Sequence, residues 1–216
     1  MPKVFDCEQH DAEGNPTREW IEARLGRITA SRFGDIMAYS KAKGKEGVEL
    51  ICRMDYRMEL IAERLTGQFA RHYVTPEMQW GAQMEDRARG VYETKYEVLV
   101  QPVGFCLHPT MDFSGASPDG WVGENKIIEI KCPTTARYLD WRKTREVPQE
   151  YIDQILWNMV CGERTEADFI GYDPRLPENL QLLVIPVQYD EKRVAELEAE
   201  VRKMEAEIQA EIASLT

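Results

Sequence analysis

The segment Lys126-Ile127-Ile128-Glu129-Ile130-Lys131 leaves the chain few ways to fold. Its β-branched residues alternate with polar ones, the signature of a strand. Side chains on a strand alternate between faces, so Glu129 and Lys131 share one face while Ile128 and Ile130 point to the other, into a core. Upstream lies Ser117-Pro118-Asp119-Gly120, with Asp119 ten residues before Glu129. Pro118 and Gly120 bracket Asp119 and place it in a turn or at a strand end. A hairpin made from the two segments brings two carboxylates and one ammonium together. Such groups beside a core are costly unless they are paired or put to use. An Asp followed by Glu-x-Lys suits metal-assisted phosphodiester hydrolysis.

Each residue has a candidate role in that chemistry. Magnesium takes oxygen ligands in octahedral geometry, with one or two carboxylates and retained waters. Asp119 and Glu129 supply the carboxylates, and the Ile130 carbonyl joins them. Lys131 holds the attacking water or stabilises charge on the phosphate. Glu85, within Trp80-Gly81-Ala82-Gln83-Met84-Glu85, is a third candidate acid on a helix preceding the sheet. Tyr151 and Gln154 share one helical face, where the amide can orient a water or a phosphate oxygen. Plainer readings exist for each: Glu-x-Lys alone is a surface ion pair, Glu85 a solvated helix residue, Tyr151 and Gln154 a polar helix face. Arg24, Thr29 and Ser31 cluster around a helix start and together form a phosphate receptor. Simple helix capping by Thr29 or Ser31 is the alternative.

Composition narrows the setting. No apolar run approaches the roughly 18 residues of a membrane span, and the first six residues lack the apolar core of a secretory signal. Five cysteines, scattered and without a Cys-x-x-Cys pair, point to free thiols in a reducing cytoplasm and away from a zinc site. The net charge of −11 argues mildly against a nucleic-acid partner. Its distribution softens that argument. Residues 24–45 carry six bases against one acid, and residues 137–145 four bases against one acid, whereas residues 190–216 hold eight acids against four bases.

Read along the chain, residues 1–16 form a polar leader. Thr17 caps a helix that ends near Gly26, and a second helix spans about 31–39. Residues 40–47 form a basic loop. Residues 48–66 are helical, with Leu50, Ile51, Met54, Met58, Ile61 and Leu65 on one face. A further helix starts at Pro76 or Glu77 and reaches about Tyr92 or Tyr96. Strands follow over 97–103 and 104–108, then the hairpin of 114–122 and 126–131. Helices over 134–144 and 148–161, strands over 166–172 and 180–188, and an amphipathic helix from Asp190 onward complete the order. No internal repeat or linker divides it, so residues 1–216 are expected to form a single α/β domain with an N-terminal helical segment.

Taken together, these motifs resemble the phage lambda exonuclease family of viral recombination nucleases, within the restriction-endonuclease-like superfamily. The matching residues are Trp20 with Arg24-Leu25-Gly26-Arg27-Ile28-Thr29-Ala30-Ser31, then Trp80-Gly81 and Glu85, then Ser117-Pro118-Asp119-Gly120, then Glu129-Ile130-Lys131-Cys132-Pro133, then Tyr151 with Gln154, and Tyr172-Asp173-Pro174-Arg175. The loop at 40–47 and the acidic C-terminal helix depart from the family's pattern. The resemblance implies a mixed central sheet flanked by helices. It also implies a processive 5′→3′ exonuclease on double-stranded DNA ends, releasing mononucleotides and leaving 3′ overhangs for a single-strand-annealing partner. By the same likeness, Asp119, Glu129 and the Ile130 carbonyl bind magnesium or manganese, and Lys131 and Glu85 act on the water. Arg24 holds the terminal 5′-phosphate with Thr29, Ser31 and Ser117, and Met78 is a wedge that parts the strands. A ring-shaped homotrimer in the cytoplasm of a bacterial host, encoded by a phage or prophage, completes the picture. Two other readings keep part of it: a restriction-type or structure-specific endonuclease, and a non-catalytic subunit that binds DNA ends.

Overall fold

The computed structural model describes residues 1–70 and 75–215, without the side chains of residues 77 and 78. The chain opens with strand β1 (Val4–Phe5), helix α1 (Arg18–Arg24), strand β2 (Ile28–Thr29), a 3-10 turn (Ala30–Arg32) and helix α2 (Phe33–Ile36). Two long helices follow, α3 (Ile51–Thr66) and α4 (Pro76–Tyr96). Five strands come next: β3 (Val100–Gln101), β4 (Phe105–Leu107), β5 (Ser114–Ala116), β6 (Gly120–Val122) and β7 (Lys126–Lys131). Helices α5 (Thr135–Thr144) and α6 (Gln149–Cys161) lead to strand β8 (Glu166–Tyr172) and a second 3-10 turn (Glu178–Leu180). Strand β9 (Leu182–Gln188) and helix α7 (Glu191–Leu215) close the order.

The strands form two mixed sheets where one was expected. The larger has the order β3-β6-β7-β8-β9, and the smaller β1-β4-β5-β2. In the larger sheet β7 runs antiparallel to β6 and parallel to β8, so it lies at the centre. The expected hairpin is therefore real between β6 and β7, whereas Ser114–Ala116 belongs to the other sheet. In the smaller sheet β5 pairs antiparallel with β4 and parallel with β2.

Both faces of β7 are covered. Ile127 packs in one core with Ile155 and Leu156 of α6 and Phe169 of β8. Ile128 and Ile130 pack in a second core with Ala88 and Tyr92 of α4. Alternation thus sends residues to two helical layers, and the face carrying Glu129 lies under α6 instead of facing solvent. Gly120 is needed for close approach: a Cβ there would stand 2.3 Å from Cγ1 of Val100 on the neighbouring strand. The motif glycine thus belongs to the strand, and Asp119 extends the ladder by donating its N–H to the Ile128 carbonyl at 3.2 Å.

Three local expectations change. The polar leader contains β1, which pairs with β4, and Gln9 donates to the carbonyls of Val103 and Pro118 at 2.8 and 2.9 Å. The helix expected over 31–39 shrinks to the 3-10 turn and α2; the Thr29 and Ser31 hydroxyls accept from Arg24, and the Thr29 side chain caps nothing. The apolar stripe of α3 is mostly exposed. Ile51 is 70% exposed, and Leu50, Met54, Met58 and Leu65 are exposed too; of the six, Ile61 alone is buried.

What α3 buries is Arg53, Tyr56, Leu60, Ile61 and Glu63. Its inner face shares an apolar core with α7 and also meets it through charge. Arg53, fully buried, pairs with Glu200 and Glu207 at 2.8 Å each and with Glu49. Arg64 pairs with Glu205 at 2.7 Å, and Arg57 with Glu211 at 2.8 Å. Helical periodicity marks an apolar stripe without saying whether that stripe or its polar neighbour faces the core. Among the described residues no helix is long and apolar enough to cross a membrane.

Candidate active site

The central strand carries a carboxylate into the interior. Glu129 is 0% exposed, and a charge there survives only with partners. It has three. Lys131 Nζ reaches Oε1 at 2.5 Å, Gln154 Nε2 donates to Oε1 at 2.6 Å, and Asn158 Nδ2 donates to Oε2 at 2.7 Å. Gln154 and Asn158 lie one helical turn apart on α6, which presents both amides to β7. Asp119, half-buried just before β6, accepts the Ile130 N–H on Oδ2 at 2.6 Å. The two carboxylates are thereby fixed to consecutive residues of one strand.

Glu85 approaches from α4. Its Oε1 accepts from Arg89 Nη2 at 2.8 Å, and the same nitrogen touches the Asp119 carbonyl at 3.4 Å. Tyr151 meets Lys131 with its ring, the ammonium lying 5.4 Å from the ring centroid. That ring stacks on Phe169 and meets Trp141 edge-on.

Burial dominates the electrostatics. It raises the Glu85 carboxyl from 4.5 to about 8, with Asp119 adding to the effect. It also raises Glu129 to about 7, against the pull of Lys131. Asp119 shifts upward for the same reason. Burial opposes the Lys131 charge, yet Glu129 and Asp119 beside it lift its pKa above the usual lysine value. When all three acids are ionised, the two bases Lys131 and Arg89 leave a deficit of positive charge.

That deficit is one a divalent cation would cover. Among the described residues no three His, Cys, Asp or Glu converge as a ready-made ligand set. The available donors are two carboxylates and the Ile130 carbonyl, all oxygen. They suit magnesium with retained waters and offer no soft ligand.

A second cluster forms around Arg24. Its Nη2 lies 3.4 Å from Thr29 Oγ1 and 3.3 Å from Ser31 Oγ, and its guanidinium stacks 4.1 Å from the Trp20 ring centroid. Among the described residues no carboxylate pairs with it. Burial lowers its pKa to about 10, so it stays cationic near neutrality. Trp20 Nε1 donates to Ser117 Oγ at 2.8 Å, which ties this cluster to the segment bearing Asp119. The Met78 side chain lies outside the described residues.

Some site residues escaped sequence reasoning. Asn158 and Arg89 stand four residues after Gln154 and Glu85, a helical spacing that could have drawn attention to both. His10 meets Trp20 at a tilt, with ring centroids 5.6 Å apart, and burial lowers its pKa although Asp119 opposes the shift. No local signal marks it, because the contact depends on the whole fold.

Residues 19–168 match the YqaJ-like viral recombinase domain. The chain is similar to the crystal structure of an alkaline exonuclease, LHK-Exo, from Laribacter hongkongensis. Identity is 41%, the TM-score 0.83, and coverage 92% of this chain and 96% of that one. The same values hold for LHK-Exo in complex with dAMP. A phage related exonuclease from Haemophilus somnus 129PT shares the fold, with a TM-score of 0.66 at 15% identity over 88% of this chain and 96% of that one. No curated protein matches.

The raised carboxyl pKa values set a pH dependence for protein kept free of divalent ions. Glu129 holds its proton up to about 7 when folded, whereas an unfolded glutamate loses it near 4.5. Between those values the folded state binds more protons, so stability falls as pH rises. Relative to Glu129→Gln, the wild-type protein is expected to lose on the order of 2 kcal/mol between about pH 5 and pH 8. Thermal unfolding in a chelating buffer measures this, and an increase over that range would contradict the assigned direction.

Proposed function

This chain belongs to the YqaJ-like viral recombinase domain family, and on that premise we propose a divalent-metal-dependent exonuclease acting on double-stranded DNA ends. It digests one strand 5′→3′ to mononucleotides, remains on its substrate between cuts, and leaves 3′ overhangs for a single-strand-annealing protein in homologous recombination. The observation that carries this reading is Arg24. A half-buried guanidinium with no carboxylate partner among the described residues, flanked by two hydroxyls, suits a terminal phosphate. Its link through Trp20 and Ser117 to Asp119 couples end capture to the cutting site.

Asp119, Glu129 and the Ile130 carbonyl would hold magnesium, with manganese as a substitute. Bound there, such an ion would supply Lewis-acid polarisation of the scissile phosphate. Lys131, oriented by Glu129, stabilises charge that develops on the phosphate oxygens. Glu85, with a carboxyl poised near 8, exchanges a proton with the attacking water or the leaving oxygen. Gln154 orients the Glu129 carboxylate, and the Tyr151 ring limits the positions open to the Lys131 ammonium. Thr29, Ser31 and Ser117 complete the phosphate receptor. Basic segments on an acidic body favour DNA held locally and repelled elsewhere. A ring of three copies fits this division, and the open apolar stripe on α3 is a surface that a second copy would cover.

Two outcomes test this reading. Linear duplexes with 5′-phosphate ends should be digested faster than those with 5′-hydroxyl ends, and closed circles should survive. Arg24→Ala should slow digestion of phosphorylated ends roughly 10- to 100-fold, the loss of one charge-assisted contact, and leave hydroxyl ends little changed. Equal rates on both ends, or loss of closed circles, would sink this reading, and discrete internal cuts in a circle would favour an endonuclease.

Self-association is tested separately. The mass in solution should be near three times the 25.0 kDa of the chain, and Met58→Lys should lower it. A wild-type monomer would remove the ring.

A further inference from the structure

Asn158 has no place in the sequence motifs, yet it makes the innermost contact of the carboxylate cluster. It is 0% exposed on α6. Its Nδ2 donates to Glu129 Oε2 at 2.7 Å, while Lys131 and Gln154 both engage the other oxygen, Oε1. Its own Oδ1 is buried without a hydrogen-bond partner. An unpaired buried acceptor destabilises a fold, and a native structure retains few of them. The arrangement therefore costs stability on one side of the amide to deliver a donor on the other. Leucine has nearly the shape of asparagine and would remove the unpaired acceptor, but it would leave Oε2 without a donor.

We infer that Asn158 is a positioning residue for the divalent metal. It anchors Oε2 of Glu129 toward α6, fixing the rotation of the carboxylate so that its orientation toward Asp119 and the Ile130 carbonyl is set before a cation arrives. Three donors on two oxygens define one orientation, whereas Lys131 and Gln154 alone, both on Oε1, allow the carboxylate to pivot about that atom. Removal of a partner that orients a ligand in this way usually weakens metal binding by roughly 10- to 100-fold. The inference rests on the reading of Glu129 as a metal ligand, so its test must separate the two claims.

The test is calorimetric titration of magnesium and of manganese into the full chain without DNA. It compares the wild type, Asn158→Leu, Glu129→Gln, and the two changes combined. Asn158→Leu, read as folded protein, is expected to raise the metal dissociation constant about tenfold or more. In the Glu129→Gln background the same change should have no further effect, because Asn158 acts through Glu129. Asn158→Ser, which retains a short donor, should fall between the wild type and the leucine variant, and it carries the test if the leucine variant does not fold. Unchanged metal affinity in a folded Asn158 variant, with Glu129→Gln clearly weakened, would overturn the role of Asn158 and leave the metal site standing. Unchanged affinity in Glu129→Gln would overturn both.

Discussion

The carboxylate of Glu129, withdrawn from solvent at the centre of the larger sheet, is the constraint on which the rest of the molecule depends. A lone charge at that position would be untenable. Its partners dictate the surroundings: Lys131 two residues along the same strand, and Gln154 and Asn158 on the helix packed above it. Helix α6 must therefore lie across β7 in one register. The apolar residues of α6 and β7 enforce the same register, since Ile155 and Leu156 pack with Ile127 in one core. Packing and charge agree, which is how a buried polar cluster remains compatible with a stable fold.

The two sheets give the site its two halves. Strand β5 belongs to the smaller sheet and β6 to the larger, with Ser117, Pro118 and Asp119 between them. Ser117 accepts the Trp20 indole from the Arg24 cluster, and Asp119 enters the carboxylate cluster. A segment of three residues thus joins the Arg24 cluster to a set of acids with raised pKa values. The function proposed above would use this connection to hold an end while the neighbouring bond is cut.

Much of this was legible in the sequence, and the exceptions share a cause. Alternation along Lys126–Lys131 marked the strand and its functional pair, and the Ser-Pro-Asp-Gly motif marked the second acid. Alternation could not show that α6 covers the Glu129 face, because coverage is a tertiary property. The α3 stripe failed similarly. Leu50, Ile51, Met54, Met58 and Leu65 have core periodicity, but the fold turns the Arg53 face toward α7. Strand β1 is only two residues long and carries no periodic signal, so its pairing with β4 was hidden. Thr29 and Ser31 could be read as caps or as phosphate ligands. The structure has their hydroxyls facing Arg24, a choice that local sequence leaves open.

The central claim is that the Asp119, Glu129 and Lys131 cluster performs the hydrolysis and does not merely stabilise the strand. Single-turnover release of mononucleotides from a 5′-phosphorylated linear duplex, measured for Lys131→Ala beside the wild type, tests it most directly. Magnesium-dependent release should fall by at least about 100-fold while the variant still binds the duplex end. Release at the wild-type rate by a folded variant would contradict it.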